Sequence, residues 1–235
     1  MSVDIKSVET THDDVARVPE QTKRSGLAAI NDDDFNILTV VGGWRAVIET
    51  VLPTLTFVIG LITTGDYLIP AFAALILVTT FAITRIMQGK SVKPAIISVV
   101  TMAASVYVAW KTGQAVNVFL ISILKNATYG SVVLLSILVR WPVLGVMLGL
   151  IRGEKTAWRK GEEWKLTRVR YYQITTVWLF VFIARLSVQV PLYFHGYAEW
   201  LGIAKLTLGL PTDILAAYLS WLLIRSLPKR KNSRI

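Results

Sequence analysis

Residues 116–150 read VNVFLISILKNATYGSVVLLSILVRWPVLGVMLGL, and how often this stretch crosses a bilayer decides the architecture of the chain. It is longer than the ~20 residues that one helix needs to cross a hydrocarbon core of about 30 Å, and shorter than two crossings require. Lys125, Asn126, Arg140 and Pro142 fall inside it. Residues 116–124 read as an interfacial or partly inserted segment, and the true span as Thr128–Ile151.

Outward from this stretch, the other apolar runs are easier to place. They give spans of about 46–64, 67–84 and 95–110 before it, and 172–193 and 206–226 after it. The first is interrupted by Glu49 and Pro53. Gly65-Asp66 makes a tight turn to the second, and Pro94 stands where a proline starts the third helix. Six crossings predict an all-α polytopic membrane helix bundle over residues 41–227. An acidic, polar, disordered cytoplasmic tail is expected over 1–40, and a basic tail over 228–235.

The Lys and Arg positions test this count independently, because cytoplasmic loops carry the excess of positive charge. With the N-terminus inside, 20 of the 25 Lys and Arg residues lie in inner segments. Only Lys111, Lys125 and Lys205 fall in outer ones, and Arg140 and Arg185 fall within spans. Seven crossings would put the basic segment 152–171 outside, so six are selected, with both termini cytoplasmic. Trp158 and Trp164 are spaced within that segment for an amphipathic surface helix.

Composition agrees. Of 235 residues, 54% are hydrophobic and 17% charged, against about 25% charged in soluble domains. The net charge of +10 sits in short loops, which points to anionic lipid headgroups rather than nucleic acid. The tail lacks the apolar core of a cleavable signal peptide. Cysteine is absent, which removes disulfides, thiolate metal sites and cysteine nucleophiles.

No phosphate-binding glycine loop, dinucleotide fingerprint, zinc-protease motif or nucleophile elbow occurs. His12 and His195 are the only histidines. Catalytic residues, metal and cofactor are therefore expected to be none, and the chain is read as no enzyme. Asn126-Ala127-Thr128 matches a glycosylation sequon by chance, on the outer side.

Ionisable groups inside a bilayer cost at least about 2.5–3.5 kcal/mol each, so each needs a reason. Arg140 falls near the middle of the fourth span, and Arg185 and Asp213 lie slightly outward of the centres of the fifth and sixth. An Arg185–Asp213 ion pair is geometrically reasonable. Glu49 stands four residues from Arg45 and pairs with it locally, or else with Arg140. These groups either line a polar cavity for an ion or small anion, or lock helices together as a structural network. Pro53 and Pro142 are read as kinks, and Gly145 and Gly149 as a G-x-x-x-G that permits close helix approach. Opposite orientation of the two halves allows an inverted repeat, without residue-level support.

Gly42-Gly43-Trp44-Arg45, leading into Glu49-Thr50-Val51-Leu52-Pro53-Thr54, resembles the opening of an actinobacterial family of uncharacterised membrane proteins, with the likeness running through Leu227. More distantly, the chain resembles the intracellular septation protein A family. That likeness rests on Leu52-Pro53, on Arg140-Trp141-Pro142-Val143 followed by Met147-Leu148-Gly149, and on Ala204-Lys205 ahead of Leu208-Gly209-Leu210. The long acidic tail, Arg185 and Asp213 depart from that family. The second resemblance implies a part in cell-envelope maintenance or division without a defined reaction. The expected function is thus a non-enzymatic envelope protein acting through membrane partners or self-association. The alternative is a transporter, channel or transport subunit for a small solute or ion.

Overall fold

The structure is a computed structural model that describes residues 43–89, 92–154 and 156–227. The two terminal tails expected over 1–40 and 228–235 lie outside the described residues, as do Lys90 and Lys155. In chain order the helices are α1 (Trp44–Thr64), α2 (Leu68–Met87), α3 (Val92–Thr112), α4 (Leu120–Leu138), α5 (Val143–Ile151), α6 (Lys165–Phe194), α7 (Ala198–Thr207) and α8 (Leu210–Arg225). Short 3-10 turns occupy Ala115–Val118, Ala157–Arg159 and Glu162–Trp164. Among the described residues there are six segments long and apolar enough to cross a membrane, with α7 and α8 together forming the sixth. The chain folds as an all-α polytopic bundle, and an even number of crossings brings both ends of the bundle to the same side.

Side-chain size sorts the faces of each helix. On α2, Ala71 and Ala74 are fully buried, whereas Ile69, Phe72, Ile76 and Ile83 stand exposed along one helical stripe. Lipid accepts large apolar groups, while small residues let helix backbones approach each other. Phe57, Val58 and Leu61 of α1 pack with Ala109 of α3, Phe119 and Leu201 to form one core. A second core gathers Leu148, Trp158, Tyr171, Ile174, Trp221 and Ile224. α6 pairs with α4, α5, α7 and α8, so it is the axis on which the C-terminal half assembles. At ~1.5 Å per residue its 30 residues span ~45 Å, which carries its basic first turns, with Lys165, Arg168 and Arg170, beyond a ~30 Å hydrocarbon core.

The fourth span differs from the sequence expectation. It is Leu120–Leu138, not Thr128–Ile151, so that residues 120–124 form the first turns of the helix and 116–118 belong to the 3-10 turn before it. The polar Asn117 of the preceding turn is buried but satisfied: its Nδ2 donates to Thr112 Oγ1 (2.6 Å), and Tyr193 Oη donates to its Oδ1 (2.6 Å). α4 then ends in a Schellman motif. Arg140 takes the left-handed conformation (φ 59°), its N–H donates to Ile137 O (3.0 Å), and Trp141 N–H donates to Ser136 O (2.8 Å). Pro142 follows at the position where a helix cannot continue, and it restrains Trp141 as well. Arg140 is therefore an exposed helix terminus rather than a charge in mid-span, and Pro142 starts α5 rather than kinking a membrane helix.

Pro53 does lie inside a spanning helix, α1. Gly145 and Gly149 lie on α5, outside the fourth span, and both are buried. A Cβ added at Gly145 would sit 2.8 Å from Tyr171 Cβ, so the glycine sets the spacing between α5 and α6. Gly145→Val is expected to cost about 1–3 kcal/mol by overpacking. SDS titration of the detergent-solubilised protein measures it, and an unchanged midpoint would show that α5 packs elsewhere.

The segment after α5 is not a surface-lying amphipathic helix. Two 3-10 turns fold Trp158 under the bundle, where it is 1% exposed and packs edge-on to Tyr171 with ring centroids 5.2 Å apart. Glu154 organises this cap by accepting from Arg152 Nε (2.9 Å) and Tyr171 Oη (2.7 Å). Arg168 closes it by donating to the carbonyls of Arg159 (2.7 Å) and Gly161 (3.2 Å). Backbone groups at the membrane face that make no regular helix are thus satisfied by side chains.

Candidate functional site

The sixth span is broken where Gly209 and Pro211 meet. Pro211, in the first turn of α8, has no N–H to donate back towards α7, and Gly209 caps the new helix. Such a break strands carbonyls in a medium without water, where each unsatisfied group is worth several kcal/mol. Thr212 Oγ1 donates to Leu208 O (2.5 Å) and the Asp213 N–H to Gly209 O (3.2 Å), and Arg185 of α6 adds charged donors to both. Its Nε reaches Leu208 O (2.5 Å), and its Nη2 reaches Gly209 O (2.8 Å) and Thr212 Oγ1 (3.0 Å). The same Nη2 stands 2.8 Å from Asp213 Oδ1, in the first turn of α8, where a carboxylate also suits the helix dipole. The structure brings Arg185 and Asp213 together, and Arg185 also cross-links α6 to both halves of the sixth span.

Beside this junction lies a cavity of about 570 Å³ between α1, α4, α6 and the α7–α8 break. Its polar lining includes Ser122, Lys125 and Asn126 of α4, Gln189 of α6 and Lys205 of α7, with Arg185 and Asp213. Asn126 Nδ2 donates to Gln189 Oε1 at 3.4 Å. A second cavity of about 380 Å³ lies between α1, α2, α3 and α4. The two share Thr50, Thr54, Ser122, Lys125 and Lys205, so they adjoin across these side chains.

Glu49 also lines the second cavity. It pairs with Arg45 (2.6 Å) and with Arg85 (3.4 Å), not with Arg140. Arg45 also donates to Thr84 Oγ1 (2.9 Å) and to Gln88, which joins α1 to α2 at one face of the bundle. Of the four ionisable groups singled out from the sequence, Arg185 and Asp213 therefore share one site, Glu49 stands in the adjoining cavity, and Arg140 joins neither.

Lys125 and Lys205 were assigned to outer segments, yet they stand on the spanning helices α4 and α7. Lys205 lies over the Phe119 ring, 5.5 Å from its centroid. Among the described residues, no carboxylate pairs with either lysine. The signal was present in their apolar surroundings, but reading residues 116–124 as interfacial and starting the last span at Leu206 left both outside the membrane. The same error put Asn126 outside, where the structure has it within α4 at the cavity. Among the described residues, no group of three or more His, Asp or Glu side chains is placed to hold a metal.

A family model described as a protein of unknown function (DUF3159) matches residues 41–231, which includes every candidate span. No curated protein and no solved structure matches the chain.

Proposed function

The chain belongs to this family of unknown function, and from that premise we propose that it is a non-enzymatic membrane protein that binds a small polar solute inside its bundle and carries it across. The observation that carries this reading is the pair of adjoining cavities with polar side chains between spanning helices. A volume of about 570 Å³ falls in the ordinary range for small-molecule sites, roughly 300–1,000 Å³. Discontinuous helices near the centre of a membrane bundle are a recurring way to build such sites, since they bring polar backbone to the solute. Here Arg185, Thr212 and the Asp213 N–H take up the freed carbonyls, which leaves the lysines and the neutral polar groups to face the solute.

The orientation we propose has both termini in the cytoplasm of a cell whose plasma membrane holds the bundle. It gains support from the revised spans. Arg140 joins the inner basic residues, and Lys125 and Lys205 leave the outer loops, so Lys111 alone remains there. Anionic headgroups are the proposed partners of the inner basic segments. A second reading, an envelope role exercised through membrane partners, draws on the basic cap that holds Trp158, Arg159 and Arg168. Co-purification of the tagged protein in mild detergent tests that reading.

The absence of cysteine makes the solute reading directly testable. Ser122→Cys, in an otherwise cysteine-free chain, is expected to react with a water-soluble methanethiosulfonate in membranes. Ile76→Cys, on the lipid-facing stripe of α2, is expected to stay unlabelled. Equal protection at both positions, and at Thr50→Cys, would mean that no water reaches the cavity, and the solute reading would fall.

A further inference from the structure

We propose that the cavity is a site for a small oxyanion, a carboxylate or inorganic oxyanion, held between the ammonium groups of Lys125 and Lys205. This rests on the solute reading and names its substrate class. The charge balance of the site carries it. Arg185 is engaged by Asp213, by Thr212 and by the carbonyls of Leu208 and Gly209, so this cluster adds no net charge. Glu49, which lines the second cavity, is held by two arginines. What remains at the junction of the two cavities is two lysines from different helices, both turned into the same space, with no carboxylate between them among the described residues.

Two like charges converging between spanning helices repel each other. The Phe119 ring offers Lys205 one weak partner, and nothing among the described residues offers an anionic one. An anion between the two lysines removes the repulsion and supplies the missing acceptor for both. The uncharged lining suits the same guest, because Ser122, Thr50 and Thr54 bring hydroxyls and Asn126 and Gln189 bring amides, each able to donate to an oxygen. A cation would meet two ammonium groups there. Asp213 faces the same cavity, but its charge is already answered by Arg185.

The test uses the Ser122→Cys chain in membranes, with two thiol reagents of opposite charge, an anionic sulfonatoethyl and a cationic trimethylammonioethyl methanethiosulfonate. Each rate is divided by that reagent's rate with a free thiol in solution. A cavity lined by one sign of charge raises the local concentration of the opposite ion by about tenfold or more. The anionic reagent is therefore expected to lead by at least about tenfold, and millimolar phosphate or acetate to slow it. Adding Lys125→Gln and Lys205→Gln should bring the ratio to parity, whereas Lys125→Arg with Lys205→Arg should keep it and show that the variants fold. Reaction with both reagents at equal normalised rates overturns the anion site while leaving the solute reading intact. A preference that survives both Lys→Gln changes overturns the assignment to these lysines. No reaction with either reagent overturns the solute reading and the anion site together.

Discussion

Arg185→Leu is expected to destabilise the detergent-solubilised protein by about 3–5 kcal/mol, the usual consequence of removing one partner from a buried charge network. The loss is not mainly that of the ion pair. Double-mutant cycles put single polar pairs in membrane bundles at about 0.6 kcal/mol on average. Arg185 also gives charged donors to two carbonyls at the α7–α8 break, which leucine leaves with only the Thr212 hydroxyl and, at Gly209 O, the Asp213 N–H. Asp213→Asn, by contrast, removes one charge from a side chain that is 43% exposed and leaves the guanidinium with its other three acceptors. It should cost about 1 kcal/mol. The order of the two SDS-unfolding midpoints checks the argument. If Arg185→Leu is no worse than Asp213→Asn, the capping role is wrong and the ion pair is the whole of the contribution. Arg185→Leu with Asp213→Leu should remain close to Arg185→Leu alone, because the guanidinium donors to the Leu208 and Gly209 carbonyls are missing in both.

Trp158→Ala carries the second large effect, about 3–5 kcal/mol for truncating a fully buried tryptophan. The side chain is the centre of the cap, packed edge-on against Tyr171. Around it lie Leu148 of α5 and Trp221 and Ile224 of α8. Its removal opens a cavity under residues 152–164 without touching the spanning helices α1 to α4. The loss should therefore appear locally, as faster tryptic cleavage at Arg159 and Lys160, with a much smaller change in global unfolding. Tyr171→Phe removes one hydrogen bond to the Glu154 carboxylate and is expected to cost about 1.5–3 kcal/mol. Cleavage of Trp158→Ala at the rate of the unaltered protein would show that the cap is held from elsewhere.

The errors of sequence reading have one common origin. Lys125, Arg140 and Pro142 were all judged from their distance along one apolar run. Periodicity and length cannot say where within 35 apolar residues a helix starts and stops. The stop was written in Arg140-Trp141-Pro142, a left-handed residue and a proline just past a helix end, but a glycine is the usual occupant of that position and an arginine hides it. Gly209 and Pro211 carried a different signal in the sixth span, a glycine cap and a proline in the first turn of a new helix, inside a run apolar enough to read as continuous. Once the fourth span moves towards the N-terminus, Lys125 enters the membrane and Arg140 leaves it, and the two exchange roles.

Other features needed no coordinates. The six crossings follow from apolar length, at about 20 residues per self-satisfied helix, together with the Lys and Arg distribution that excludes seven. The Arg45–Glu49 pair follows from a separation of four on a helix, and the approach of Arg185 to Asp213 from counting residues along two antiparallel spans. The tertiary structure alone decided what these charges face. That Arg185 caps a broken helix, that Trp158 is buried under a basic loop, and that Lys125 and Lys205 meet beside Ser122 depend on how the helices rotate and pack. Rotation is set by close contacts of small side chains between helices, such as Gly145 against Tyr171, and an apolar run is nearly the same seen from every side.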